Sequence, residues 1–585
     1  MESTSTIQML LKSIREAIFN GLDLLNLDSI SKKSARNLVV KKKVRHLHQG
    51  DIVVPPGCSK LNPTLHEELM TIMKEFCASD ETLAASVSCD NYSLLSFHID
   101  RPKMCNLVLN EIATRGTRYG FHDVSSGKMV SVHTIKLRRK SSLMDMRLAV
   151  VKGHTAKLLE ANGYTVMCDE LETDEFEESK KTSSEGSPEE AEKETSSSLD
   201  PSSKNTSPSR QFYFSKILSV LSNEVTATSN VSVCSASESS EQSGQLKRTK
   251  TFPANFVCKD GENVSLDLQE VIESKNLQRG KEGYDTNLRF VDVIQAKKPT
   301  QVLEESLRIL DKISSYPQIE HHFMHIVPHG AAFTGQQIIL ILDSLVETDL
   351  SQSQMVIGPI TVQEASSSSP LSAQDFYKSR ISQFQEASEM RSAIGSEGCS
   401  NDDVKTLTDA SIKIDILGNA CSSPLSLENT ASGRGAESRL GAFILYNAAR
   451  LFTLLQRFDQ AVIDGKYPPL PPVDQIDWTL LREEEDWELV YVYLAAFPDV
   501  VSQAVECVCP EKGKLSAKIH THKVTNFLVS FCKCLSAHYS RYHILTDGEA
   551  HLLPLMYARL HMMKAAHQVL LNSFHLIGIK ALSYV

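Results

Sequence analysis

Residues 556–578 open with Met556-Tyr557-Ala558-Arg559-Leu560 and close with Phe574-His575-Leu576-Ile577-Gly578. Met556, Leu560, Met563, His567, Leu570, Phe574 and Ile577 are spaced by threes and fours, one face of an α-helix, and Gly578 suits the left-handed residue that ends it. Val524, Leu528, Phe531, Leu535 and His538 repeat the pattern upstream, and Leu440, Ile444, Leu451, Leu455 and Phe458 lay out a third helix. An amphipathic helix has to bury its stripe against another element. Three such helices therefore predict an all-helical bundle over residues 437–585.

Charge sets this bundle apart. From Lys512 to Val585 nine Lys/Arg are opposed only by Asp547 and Glu549, in a chain of 585 residues whose formal charge is −11. One stretch produces that total: residues 169–200 hold thirteen Asp/Glu against Lys180, Lys181 and Lys193, and the remainder is close to neutral. At about 100° per residue, Tyr446, Arg450 and Arg457 share a stripe set off from the apolar face. Lys523 and Arg541 align with each other in the same way. A cationic stripe with an aromatic ring suits RNA, with charge for phosphate and a ring for a base, although it also reads as a solvated helix face.

Working outward, residues 1–130 carry mixed helix and strand signals, and 131–168 with 251–363 make a second α/β unit, including the strand-like run Leu288–Ile294. Residues 169–250 are Ser/Glu/Pro-rich and low in apolar content, which predicts a disordered insert with one ordered island at Gln211–Leu218. Residues 364–436 read as a Ser-rich linker. The longest apolar run, Ile338–Leu342, is far too short for a bilayer, and Met1–Ser5 lack the basic start of a secretory signal. Thirteen scattered Cys fit reduced thiols, so a cytoplasmic chain without membrane segments is expected.

Phe443-Ile444-Leu445-Tyr446-Asn447-Ala448-Ala449-Arg450 resembles a helix of the arginyl-tRNA synthetases. Phe497-Pro498-Asp499-Val500-Val501, Tyr539, Tyr557-Ala558-Arg559-Leu560 and Leu576-Ile577-Gly578-Ile579 follow in that family's order. Together they resemble the DALR anticodon-binding domain. Upstream, Asn106–Ile112 with Tyr119-Gly120 resemble the approach to the synthetase catalytic domain, and Arg147 through Val166 its first helix. The resemblance implies an α/β plus all-α fold, in which a degenerate Rossmann-like class I body precedes the DALR bundle. It also implies tRNA contacts from Tyr446, Arg450, Arg457, Lys523, Lys533, Arg541, Arg559 and Lys564.

In the synthetases that first helix begins with an HxGH signature, whose histidines bind ATP phosphates. Counted back from Gly163-Tyr164, the signature falls on Ser142-Leu143-Met144-Asp145. Both histidines are replaced, and Asp145 carries the wrong sign for a triphosphate. Met324–Gly330 resembles the strand that leads to the family's Lys-bearing phosphate loop, yet no Lys or Arg lies between Lys312 and Lys378. Losing both clamps predicts no adenylation, no catalytic residue and no cofactor. The chain thus resembles a non-catalytic branch of the family. For that branch the resemblance implies binding of arginine tRNAs and an accessory role beside a methyltransferase that forms 3-methylcytidine in the anticodon loop. No glycine-rich strand-to-helix turn is present to hold S-adenosylmethionine, and Gly433-Arg434-Gly435 is too short to serve. A residual arginyl-tRNA synthetase-type enzyme and a scaffold without RNA binding stay open.

Other local signals have plainer readings. His321, His322, His325 and His329 cluster, but Val327-Pro328 argues for a strand or turn rather than a metal-binding helix, and no metal is expected. Cys507, Cys509, Cys532 and Cys534 read as structural thiols, because residues two apart on a helix diverge. His567 reads as a core ring. The run Lys32–Arg45 holds seven Lys/Arg and no acid, and fits tRNA contact, nuclear import or a solvated surface. Lys136, Arg138, Arg139 and Lys140 are candidates for RNA backbone contact.

Overall fold

The computed structural model describes residues 5–24, 40–54, 63–79, 82–89, 95–135, 142–168, 256–258, 262–277, 287–314, 321–346, 350–363, 372–393, 400–428, 438–546 and 548–582. The insert at 169–250, the Gln211–Leu218 island, Lys32, Lys33, Arg36, the Lys136–Lys140 cations and Gly433–Gly435 lie outside them.

The first unit runs α1 (Thr6–Leu24), β1 (Lys41–Lys42), β2 (Ile52–Val54), α2 (Pro63–Cys77), β3 (Ala84–Ser88), β4 (Leu95–Ile99) and α3 (Arg101–Arg115), with an antiparallel sheet ordered β1-β2-β4-β3. Asp100 starts α3 by accepting from the Lys103 amide, with Pro102 in the first turn, where its missing N–H costs nothing.

The body follows. It comprises β5 (Met129–Thr134), α4 (Leu143–Ala161), β6 (Thr165–Cys168), β7 (Phe256–Cys258), β8 (Val264–Asp267), α5 (Gln269–Ser274), β9 (Phe290–Gln295), β10 (Lys298–Pro299), α6 (Gln301–Ser314), β11 (His321–Pro328), α7 (Ala332–Leu345) and β12 (Ser351–Ile357). Strands β12-β11-β5-β6 form a parallel sheet in that order, and β10-β9-β8-β7 form an antiparallel one. The crossover from β5 through α4 leads to β6 on one side, while β11 lies on the other. Strand order therefore reverses between β5 and β11, the switch point where such sheets hold ligands. Both faces of the parallel sheet are covered, and β11 is buried over nearly its whole length.

Residues 364–436 are not a linker where they are described. After β13 (Ile360–Gln363) come α8 (Ala373–Ala393), α9 (Asn401–Leu417) and β14 (Leu425–Glu428). Two of the serines that suggested a linker are helix caps: Ser372 accepts from the Asp375 amide, and Ser400 forms a capping box with Asp403. The pattern looks weak because α9 packs through small groups. A Cβ on Gly441 would stand 2.6 Å from the Ser411 Cα, so only glycine allows this approach.

The bundle consists of α10 (Ser438–Ile463), α11 (Glu484–Glu488) running into a π-helical turn at Leu489–Leu494, α12 (Phe497–Ala504), β15 (Val505–Cys507), β16 (Lys518–Ile519), α13 (His522–Arg541) and α14 (Leu553–Ile577). The three helices expected from periodicity are α10, α13 and α14, and Gly578 ends the last with φ 78°. Body and bundle are tied by main-chain pairing: Gln354 N donates to Leu515 O at 2.6 Å and Ala517 N to Gln354 O at 2.9 Å, which covers the β12 edge. Buried Arg147 donates to the carbonyls of Gly358, Pro359, Cys421 and Ser423, at 2.8–3.2 Å. No helix among the described residues is long and apolar enough to cross a membrane.

Candidate nucleic-acid interface

Helix α10 buries Ile444, Leu445, Ala448, Leu451 and Phe458 and turns Tyr446, Arg450 and Arg457 outward. Tyr446 is 43% exposed. The Arg450 guanidinium lies 5.9 Å from the Tyr446 ring centre and 3.5 Å from that of Tyr539, which α13 contributes. Two rings on different helices thus hold one cation, an arrangement that favours a desolvated, oriented guanidinium. Arg457 extends the same α10 stripe into solvent. Lys533 and Lys564 are exposed on α13 and α14, and none of Arg450, Arg457, Lys533 and Lys564 forms an ion pair among the described residues. Tyr539 is the member missed as a site residue. Its place in the motif order marked it, but nothing local in sequence connects it to Arg450.

Two expected contacts lie elsewhere, and a third is paired with an acid. Arg559 is only 9% exposed, so it belongs to the bundle interior and not to a phosphate-binding face. It donates to Asp486 Oδ2 at 3.4 Å and lies over the Tyr542 ring at 4.3 Å, while His538 Nε2 meets Asp486 Oδ1 at 2.6 Å. The signal was legible: Arg559 stands three after Met556 and four before Met563, on the apolar side of α14. Lys523 is half-buried and donates to Gln503 O at 2.9 Å. It sits sixteen residues before Tyr539, so the helical rise puts it roughly 24 Å away. Arg541 remains largely exposed but contacts Glu485.

At the switch point the chemistry is of another kind. Ser142 caps α4: its N–H donates to Asp145 Oδ2 at 2.8 Å, and its Oγ accepts from the Asp145 amide at 3.3 Å. Leu143 and Met144 are half-buried against the core. A helix N-terminus after the first parallel strand is a natural phosphate site. Here the chain's own carboxylate occupies it.

The histidines of β11 make hydrogen bonds to neutral side chains. His321 Nε2 pairs with Ser131 Oγ at 2.7 Å, His322 with Ser351 Oγ and Ser353 Oγ at 2.8 and 2.7 Å, and His325 Nε2 with Gln352 Oε1 at 3.0 Å. His329 lies past the strand and is exposed. Burial lowers His322 to about 4 and His325 to about 3, so both rings are neutral. No three His/Cys/Asp/Glu among the described residues are grouped to hold a metal ion. Burial raises the thiols of Cys507, Cys509, Cys532 and Cys534. His567 packs against Phe452, with ring centres 6.2 Å apart.

Known proteins share this organisation. A family model of the DALR anticodon binding domain matches residues 444–585. The chain is 28% identical over 311 residues to DALR anticodon-binding domain-containing protein 3 of Danio rerio, covering 53% of each chain. It is also 28% identical over 338 residues to the Mus musculus protein of that name, covering 55% of this chain and 60% of the other. The match thus spans little more than half the length of these curated relatives. The arginine–tRNA ligase of Desulfosudis oleivorans is 26% identical over 159 residues, 27% of this chain and 25% of that one. Among solved structures, the arginyl-tRNA synthetase of Thermus thermophilus superimposes with a TM-score of 0.55 at 12% identity, over 98% of this chain and 100% of that one. That of Plasmodium falciparum gives 0.53 at 9% identity, over 98% and 99%. Residues 444–585 are a DALR anticodon-binding domain, carried on an α/β body with the fold of an arginyl-tRNA synthetase.

Proposed function

We propose that this chain is a non-catalytic, cytoplasmic tRNA-binding protein that takes arginine tRNAs by the anticodon stem-loop. It presents them to a tRNA methyltransferase partner that forms 3-methylcytidine in that loop. The observation that carries the binding half is Arg450 held between Tyr446 and Tyr539, with Arg457 on the same stripe. A ring and a guanidinium plane offer stacking, worth about 1–3 kcal/mol per base, beside cations that meet phosphate. Arg541 joins these cations when it exchanges Glu485 for phosphate, and Lys533 and Lys564 add charge around the face. The reading of no adenylation is supported at the other end, where Asp145 fills the α4 N-terminus that a triphosphate would need. The methyltransferase half rests on the resemblance to DALR anticodon-binding domain-containing protein 3.

Sequencing RNA crosslinked to the purified chain should return arginine isoacceptors; a return of tRNAs at random would reject the specificity. Replacing Arg450, Arg457 and Arg541 together by Glu should weaken tRNA retention at least ~100-fold in a chain that still folds, and should flatten the salt dependence. Unchanged retention would reject this face. Arginine-dependent pyrophosphate exchange should stay at background, and robust exchange would restore the synthetase reading.

A further inference from the structure

We propose that the acidic run Glu483-Glu484-Glu485-Asp486 presents Glu485 as an intramolecular stand-in for an RNA phosphate, which RNA must displace from Arg541 in order to bind. The proposal rests on the RNA-binding reading of the bundle and adds its regulation.

Four consecutive acids are anchored from three sides. Asp486 is fully buried between His538 and Arg559. Glu484 accepts from Arg101 at 2.8 Å, and that guanidinium lies 5.3 Å from the Trp487 ring centre. Tyr542 donates its hydroxyl to Glu485 at 3.0 Å, with Glu483 at 3.4 Å. The buried Asp486 therefore fixes the run against the last turn of α13 and leaves Glu485 against Arg541.

His538, Arg541 and Tyr542 lie within one turn of Tyr539, the ring under Arg450. Arg541 stands two positions after Tyr539 and so leaves α13 on a different side, where Glu485 holds a cation separate from the Tyr446, Arg450 and Tyr539 cluster. A carboxylate meets a guanidinium with the same paired acceptor geometry as a phosphate. The Arg541 and Glu485 side chains are 63% and 31% exposed, so the pair is solvated and exchanges readily. Once displaced, Glu485 keeps its charge next to the incoming backbone. It takes up a cation as Arg541 releases one from the RNA, which cancels the gain. Weak, sequence-independent binding is suppressed most, and RNA that also stacks on Tyr446, Arg450 and Tyr539 is suppressed least.

The test uses the full chain and in vitro transcribed arginine tRNA, with an unrelated tRNA alongside. Glu485→Gln should tighten binding about fivefold at low salt and steepen the slope of log K against log salt by about 0.7. The gain should be larger for the unrelated tRNA. In an Arg541→Gln background the same change should give little. Binding that is unchanged or weaker in Glu485→Gln, or an equal gain without Arg541, overturns the competitor role while leaving the RNA-binding reading in place. A wild-type chain that retains no tRNA at any salt overturns both. A melting temperature within 2 °C of wild type by roughly the usual scaling confirms that the variants are folded.

Discussion

The N-terminus of α4 and the face shared by α10 and α13 are both places where the fold concentrates positive potential, and they treat it in opposite ways. At α4 the potential comes from backbone amides, and Asp145 neutralises it from within. On α10 it comes from Arg450 and Arg457, which have rings and solvent for neighbours and form no ion pair among the described residues. A site that has satisfied its own polar groups has little affinity left for a charged ligand, whereas one that holds its cations unpaired retains it. Folding stability is served at the first site, and the second keeps its cations open to a negatively charged ligand.

Three measurements would break or sharpen that contrast. The largest effect is expected inside the bundle, where Asp486 sets the buried, paired arginine apart from the unpaired ones on α10. Asp486→Ala leaves Arg559 and His538 buried without their carboxylate and should cost roughly 3–5 kcal/mol, whereas Arg457→Ala on the face should stay within about 0.5 kcal/mol. Thermal denaturation of the full chain reads both, and equal losses would erase the distinction between paired and unpaired cations.

Acid comes next. His322 and His325 are neutral in the fold, lowered to about 4 and about 3 by burial. Unfolded, they titrate near ~6.5, so their contribution is intact above that pH and is lost as pH falls toward the folded values. By pH 5 each should cost roughly 2 kcal/mol. Hydrogen exchange over residues 321–357 should therefore accelerate relative to 522–577 between pH 7 and pH 5, once intrinsic rates are corrected, and His322→Asn with His325→Gln should flatten the trend. Equal acceleration in both regions would count against it.

The smallest effect tests the helix start directly. Ser142→Ala removes the cap and should lower stability by about 1 kcal/mol, with tRNA retention unchanged. Weakened retention at unchanged stability would mean that the α4 end takes part in RNA binding.

Much of this was legible locally. Spacings of three and four located α10, α13 and α14, because a helix that packs on one side writes its period into the chain. Ser142 and Asp145 drew attention only through the synthetase signature whose place they resemble, and not as a capping box. The serines of 372 and 400 misled, since a cap residue and a linker residue look alike until the amide three positions on is seen to donate. Arg559 misled because charge was weighed before its register on the apolar face.

The sequence by itself determined the helical period of the bundle, the absence of Lys and Arg between Lys312 and Lys378 and the excess of cations at the C-terminal end. These are properties of residue type and near-neighbour spacing. Only the tertiary structure decided which cations remain available. Whether an arginine meets Asp486, Glu485 or an open tyrosine ring depends on elements tens to hundreds of residues away, and the strength of a charge depends on the partner and solvent it finds there.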